Sequence, residues 1–126
     1  MKPDLAAAYN NLGLVLHDRG DLDGAIARFS EAIRLDPNYA AAWNNLGLSL
    51  EAAHRFDEGI PAFDTAIRCK PDYPAAAYQL ALIYERFDAA QAAERWRKYL
   101  ELSRGKPAEQ PWVAWAEGHL QGLHQP

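Results

Sequence analysis

The sequence predicts an all-α solenoid of stacked helical hairpins, on three observations. Ala6–Tyr39 is followed without a gap by a second copy, Ala40–Tyr73, identical at 17 of 34 positions. A fixed period of this size marks a repeat stack, in which each unit buries its apolar face on its neighbours. With Ala40 as repeat position 1, Trp43, Leu46, Gly47 and Leu50 fall at positions 4, 7, 8 and 11, one helical face at ~100° per residue. Phe63, Ala66 and Ile67 then supply the facing stripe of a second helix, which Pro71 stops.

The totals bound the class. A chain of 126 residues, about half apolar, is one domain-sized unit, and a repeat stack spreads its core along its length. The net charge of −4 comes without a basic stripe, which argues against nucleic acid and removes any electrostatic attraction to an acidic membrane surface. The apolar runs are short and alanine-rich, so no membrane span is expected. Met1-Lys2-Pro3-Asp4 has no apolar segment of signal-peptide type. A single cysteine, Cys69, forms no internal disulfide and implies no oxidising compartment. The expected location is cytoplasmic.

The elements follow in order. Pro3, Pro37 and Pro71 keep the 34-residue phase, so Pro3-Asp4 reads as the tail of an earlier repeat in a longer array. The plainer alternative is that it starts the first helix. That helix is expected over Asp4–Arg19, with Gly20 as a left-handed C-cap and Asp21 as the next N-cap. The following helices are expected over Leu22–Leu35, Tyr39–Ala53 and Phe56–Cys69. Gly47 is mid-helix, where glycine costs ~1 kcal/mol against alanine, and close approach of the second helix compensates. Gly59 and Pro61 make the next corner soft, and Asp57 as N-cap would leave Pro61 in the first turn.

The third repeat starts at Pro74 and carries Ala77, Leu80, Ala81 and Tyr84 in phase. It then shortens by one residue within Glu85–Gln91: Ala81 to Ala92 spans 11, against 12 for Gly13 to Ala25. Its second helix, Ala89–Leu102, buries Ala92, Trp96, Tyr99 and Leu100. Ser103–Gln110 is a loop broken by Gly105 and Pro107. A last helix, from Pro111 to Leu123, places Trp112, Ala116, Leu120 and Leu123 on one face to close the stack, with Glu117, Gln121 and His124 off it. Trp115 sits beside the stripe and is expected in the core. The domain plan is three repeats within 1–104 (6–39, 40–73, 74–104) and a closing segment, 105–126.

The pattern W-x2-L-G-x2-L, then F-x2-A, then proline at position 32, resembles the tetratricopeptide repeat (TPR). The first repeat carries Tyr9, Leu12, Gly13, Leu16, Ala25, Phe29, Ala32 and Pro37. The resemblance covers about residues 3–102. It departs at Gly59, where alanine is usual, and at Trp96 and Tyr99, where phenylalanine and alanine are. It implies a right-handed superhelix of about seven helices whose first-helix faces line a concave groove.

No catalytic motif is present. There is no glycine-rich phosphate loop, no paired cysteine ligands and no HExxH. His119 and His124 are five apart and do not share a helical face. His17 and His54 read as solvated, Cys69 as a buried inert thiol, and Glu51, Asp57 and Glu58 have no apolar pocket to tune them. No enzyme activity, metal or cofactor is expected.

What remains is the face at positions 2, 5, 6, 9, 12 and 13 of each first helix. It carries Asn10, Asn11, Leu14 and His17, then Asn44, Asn45, Leu48 and Glu51, then Tyr78, Gln79, Leu82 and Arg86. Asn11, Asn45 and Gln79 form a row of amides, which donate and accept together and so suit a peptide backbone. Leu14, Leu48 and Leu82 form an apolar row. The amide row resembles the asparagine ladder of O-GlcNAc transferase TPRs, with Gln79 a departure. A structural alternative is that these asparagines bond neighbouring helices and the leucines pack between them. A clamp for a C-terminal carboxylate, as in heat-shock co-chaperone TPRs, would need lysines and an arginine where Asn10, Ala75 and Gln79 stand and asparagines at Leu14 and Asn45. Only Asn45 agrees, so that mode is rejected.

The expected function is a protein-interaction scaffold holding an extended peptide or partner helix. The alternatives are self-association through the repeat ends, as a weak homo-oligomer, or the regulatory TPR segment of a larger enzyme.

Overall fold

Gly13 has no room for a side chain. A Cβ placed on it would lie 2.5 Å from the ring of Phe29, and one on Gly47 would lie 2.8 Å from the ring of Phe63. This is the close approach that the mid-helix glycines predict. It organises a computed structural model whose described residues are 3–106 and 110–123. Among them are seven helices and no strand: α1 (Pro3–Asp18), α2 (Leu22–Leu35), α3 (Ala40–Ala52), α4 (Phe56–Cys69), α5 (Pro74–Glu85), α6 (Ala89–Ser103) and α7 (Gln110–Leu123). The chain forms two compact units, Met1–Pro71 and Asp72–Pro126. No described helix is long and apolar enough to cross a membrane.

In the first unit α1 pairs with α2, α3 pairs with α4, and α2 also packs on α3. Ala25, Phe29, Ala32, Ala62, Phe63 and Ala66 are all buried. The α1–α2 corner closes on Gly20 at φ 84°. The Asp21 N–H donates to Leu16 O and the Gly20 N–H to His17 O, both at 2.9 Å, the hydrogen-bond pair of a Schellman cap. Asp21 then caps α2 by accepting from the Gly24 N–H at 2.9 Å. The α3–α4 corner repeats the bonds, Arg55 N–H to Leu50 O and His54 N–H to Glu51 O, but with a histidine in the left-handed position, φ 60°. The 34-residue offset from Gly20 points to His54.

Two expectations change here. The N-cap of α4 is Arg55, without a side-chain cap bond, and the helix already begins at Phe56. Asp57 is therefore inside the helix, and Pro61 is its sixth residue, beyond the first turn. Pro61 is exposed, so its ring points away from the packed face, and Thr65 Oγ1 donates to its carbonyl at 2.8 Å. Cys69 is half-buried rather than buried, its Sγ 3.8 Å from Pro37 O.

The second unit holds α5, α6 and α7. Its missing residue comes out of α5, which ends one position earlier than α1 and α3. Arg86 stays right-handed, and the Asp88 N–H bonds Tyr84 O at 2.8 Å, so this corner needs no glycine. Asp88 caps α6 by accepting from the Ala90 and Gln91 N–H groups. Ala92, Trp96, Tyr99 and Leu100 are buried, as their spacing predicts.

The α7 stripe is only partly right. Ala116 is buried and Leu120 half-buried, but Trp112 is 51% and Trp115 38% exposed. Trp115 was expected in the core. Its ring packs on Trp96 and Tyr78 at 5.4 and 5.5 Å, and the residue stays partly exposed. Pro107, His124 and the side chains of Pro3, Pro111 and Leu123 lie outside the described residues.

Candidate functional site

The first helices of the hairpins repeat their mutual contacts as well as their sequence. In the first unit, Asn45 Nδ2 donates to Asn10 Oδ1 at 3.0 Å. His17 Nδ1 and Ser49 Oγ are hydrogen-bonded at 2.8 Å. In the second unit the same places are taken by Tyr78 stacked on Trp115 at 5.5 Å and by His119 Nδ1 on Glu85 Oε2 at 2.9 Å. The first pair joins positions 5 and 6 of successive first helices, the second pair positions 12 and 10. The sequence separation grows from 32 in His17–Ser49 to 34 in Glu85–His119, so α7 follows two residues behind the repeat phase. That slip hides a plain assignment: α7 is a first-type helix. Trp115 stands where the amides stand, and Gly118 stands where Leu14, Leu48 and Leu82 stand.

The residues expected on the groove face divide. Asn10 and Asn44 are only 6% and 7% exposed and do not present their amides to solvent. Position 5 lies at the edge of the face, and in α1 the neighbouring α3 covers it. Asn45 is half-buried and spends one donor on Asn10. Asn11 and Leu14 are exposed, Leu48 and Glu51 half-buried, and His17 half-buried on Ser49.

In the second unit Tyr78, Gln79 and Leu82 are half-buried and Arg86 exposed. Tyr78 and Gln79 line a cavity of about 320 Å³ with Ala75, Tyr99 and Trp112. Its wall is aromatic: Tyr78 meets Trp112 at 5.9 Å and Tyr99 at 5.6 Å, both edge to face, geometries that aromatic rings favour. Burial raises the Tyr78 phenol above its ordinary pKa, and the charge of Glu85 adds to the rise. At neutral pH the phenol is a neutral donor. Trp112 was expected to close the core, and its half-exposed ring is the lining residue that sequence reasoning missed. The two-residue slip of α7, visible only in its contacts, left the repeat register no signal for it. Among the described residues no group of three or more His, Cys, Asp or Glu could hold a metal.

The TPR repeat profile matches residues 13–53, and a Tetratricopeptide repeat profile matches residues 44–107, just over half the chain. The chain belongs to the tetratricopeptide repeat family, and its fold is the all-α solenoid of that family. No curated protein matches it in sequence.

Three similar solved structures illustrate the range. One is the Yersinia enterocolitica type III secretion chaperone SycD in complex with a peptide of the translocator YopD, 17% identical, TM-score 0.90, covering 95% of this chain and 92% of that one. The TPR2B domain of yeast Sti1 in complex with pHsp70 is 18% identical, TM-score 0.85, with 94% of each chain covered. MamA is 29% identical, TM-score 0.79, covering 85% of this chain and 63% of that one.

Proposed function

We propose that the chain is a non-enzymatic scaffold that holds an extended peptide of a partner protein against its first-helix faces. The observation that carries this reading is the cavity where Tyr78 and Gln79, named from repeat positions alone, meet the half-exposed ring of Trp112. An aromatic cup beside one amide has the make-up of a peptide subsite: apolar walls for a side chain and a paired donor and acceptor for the backbone. In the first unit Asn11, Leu14, Leu48 and Glu51 offer the corresponding surface. SycD and the Sti1 domain, similar in fold, are found with peptide or protein partners. The missing cations at Asn10, Ala75 and Gln79 argue against a carboxylate clamp.

The test is a peptide-display selection on the wild-type chain and on a Gln79→Ala/Trp112→Ala variant with unchanged helical circular dichroism. The reading expects peptides to enrich on the wild type and be lost on the variant. Equal enrichment on both would remove it.

One observation favours self-association as a second reading. Leu5, Leu12 and Val15 of α1 are more than 40% exposed, whereas their repeat mates, Tyr39, Leu46 and Ser49 and then Tyr73, Leu80 and Ile83, are buried or half-buried. Mass measured against concentration decides it, and a monomer at high concentration counts against it.

A further inference from the structure

A second cavity of the second unit is open and about 530 Å³. Glu85, Ala114, Trp115, Gly118, His119 and Gly122 line it. Its floor is unusual among the first-type helices. Gly13 and Gly47 are glycines because a phenylalanine ring fills the space above them, but a Cβ on Gly118 or Gly122 would meet nothing within 4 Å. Glycine inside a helix is costly, and no packing among the described residues accounts for it here. Where α1, α3 and α5 carry a leucine rung, α7 leaves room.

The walls specify the chemistry of what would fill that room. Glu85 is held rather than free to swing. Its Oε2 accepts from Trp96 Nε1 at 2.5 Å and from His119 Nδ1 at 2.9 Å. A carboxylate has about four acceptor positions, so Oε1, which carries a 3.2 Å bond to His119, keeps acceptor capacity, and Glu85 lines the cavity. Its side chain is 24% exposed, so the charge is reachable but little screened. Beside it Trp115, 38% exposed, lines the same cavity, with His119 against its ring at 3.5 Å and Trp96 at 5.4 Å. A fixed carboxylate next to a fixed indole, over an open floor, is complementary to a planar cation, which stacks on the ring and bonds the carboxylate together.

We propose that this cavity seats an arginine side chain of the bound peptide, its guanidinium stacked on Trp115 and hydrogen-bonded to Glu85. The inference rests on the peptide-binding reading and adds to it: the partner segment carries an arginine beside the residue that enters the Tyr78–Trp112 cup.

The probe is N-acetyl-arginine amide, with N-acetyl-citrulline amide as its uncharged isostere, titrated into the isotope-labelled chain and followed by amide and indole NMR shifts. The expected result is saturable shifts of Gly118, Gly122 and the Trp115 indole with the arginine compound, about tenfold weaker with citrulline and in Glu85→Gln. Glu85→Gln keeps an acceptor for Trp96. A Gly118→Leu variant, which fills the floor with a better helix former, abolishes the shifts. Equal response to both compounds, a response unchanged in Glu85→Gln, or no response at these residues overturns the inference. Peptides that bind through Tyr78 and Trp112 in a chain blind to arginine would sink this inference and leave the peptide reading standing. An arginine response with no peptide enriched would remove the peptide reading, and with it the assignment of the arginine to a bound peptide.

Discussion

Asn45 reaches back across one repeat to donate to Asn10 at 3.0 Å. The bond fastens α3 to α1, and it separates two amides that look equivalent in the sequence: Asn45 spends a donor on structure, while its repeat mate Asn11 faces solvent.

Asn45→Ala therefore strands the largely buried Asn10 oxygen and should cost ~1–3 kcal/mol in urea unfolding. Asn11→Ala should stay within ~0.5 kcal/mol. Equal costs would mean that the Asn10 bond contributes nothing.

Gly59 stands where the first repeat has Ala25 and the third Ala92. A Cβ there would meet its nearest neighbours at 3.5–3.7 Å, ordinary contact. Gly59→Ala should stabilise by ~0.5–1 kcal/mol. Gly47→Ala would drive its Cβ into the Phe63 ring and should destabilise by ~1–3 kcal/mol. Thermal unfolding of both variants checks the contrast.

His54 is the one described non-glycine residue at positive φ. His54→Gly should relieve that strain and, after the glycine's larger unfolded-state entropy, gain ~0.5–1 kcal/mol. A loss of stability would show that the imidazole, which packs on Phe56 at 5.8 Å, matters more than the backbone.

The Tyr78 phenol has its pKa raised in the folded state by burial and then by Glu85. A raised pKa means that the folded chain holds the proton longer than the unfolded one. The stability tied to it is complete below about pH 10 and falls as pH rises past that value. Tyr78→Phe should flatten part of this alkaline loss, and unfolding followed from pH 8 to 11 reads it.

The period made most of the fold legible. Matching residues 34 apart placed the helices of the first two repeats within a residue or so, and Gly13 and Gly47 announced the contacts with Phe29 and Phe63. The misses have physical causes. Position 5 sits at the boundary between groove and helix interface, and angular arithmetic cannot tell which side a neighbouring helix will cover. Asn10 and Asn44 went to the buried side. Pro61 was assigned to a first turn because Asp57 looked like a cap, yet α4 starts without a side-chain cap. The two-residue slip before α7 hid Trp112, Trp115 and Gly118 from the repeat register, and with them most of the second unit's cavities.

On the proposed reading, the first-helix face of the second unit holds a peptide. The most direct measurement is NMR shift mapping of a display-selected peptide on the wild-type chain. The largest changes are expected on Tyr78, Gln79, Leu82 and the Trp112 indole. Changes confined to the first unit's groove of Trp43, Leu46 and Leu50, or to the Leu5–Leu12–Val15 stripe of α1, would contradict it.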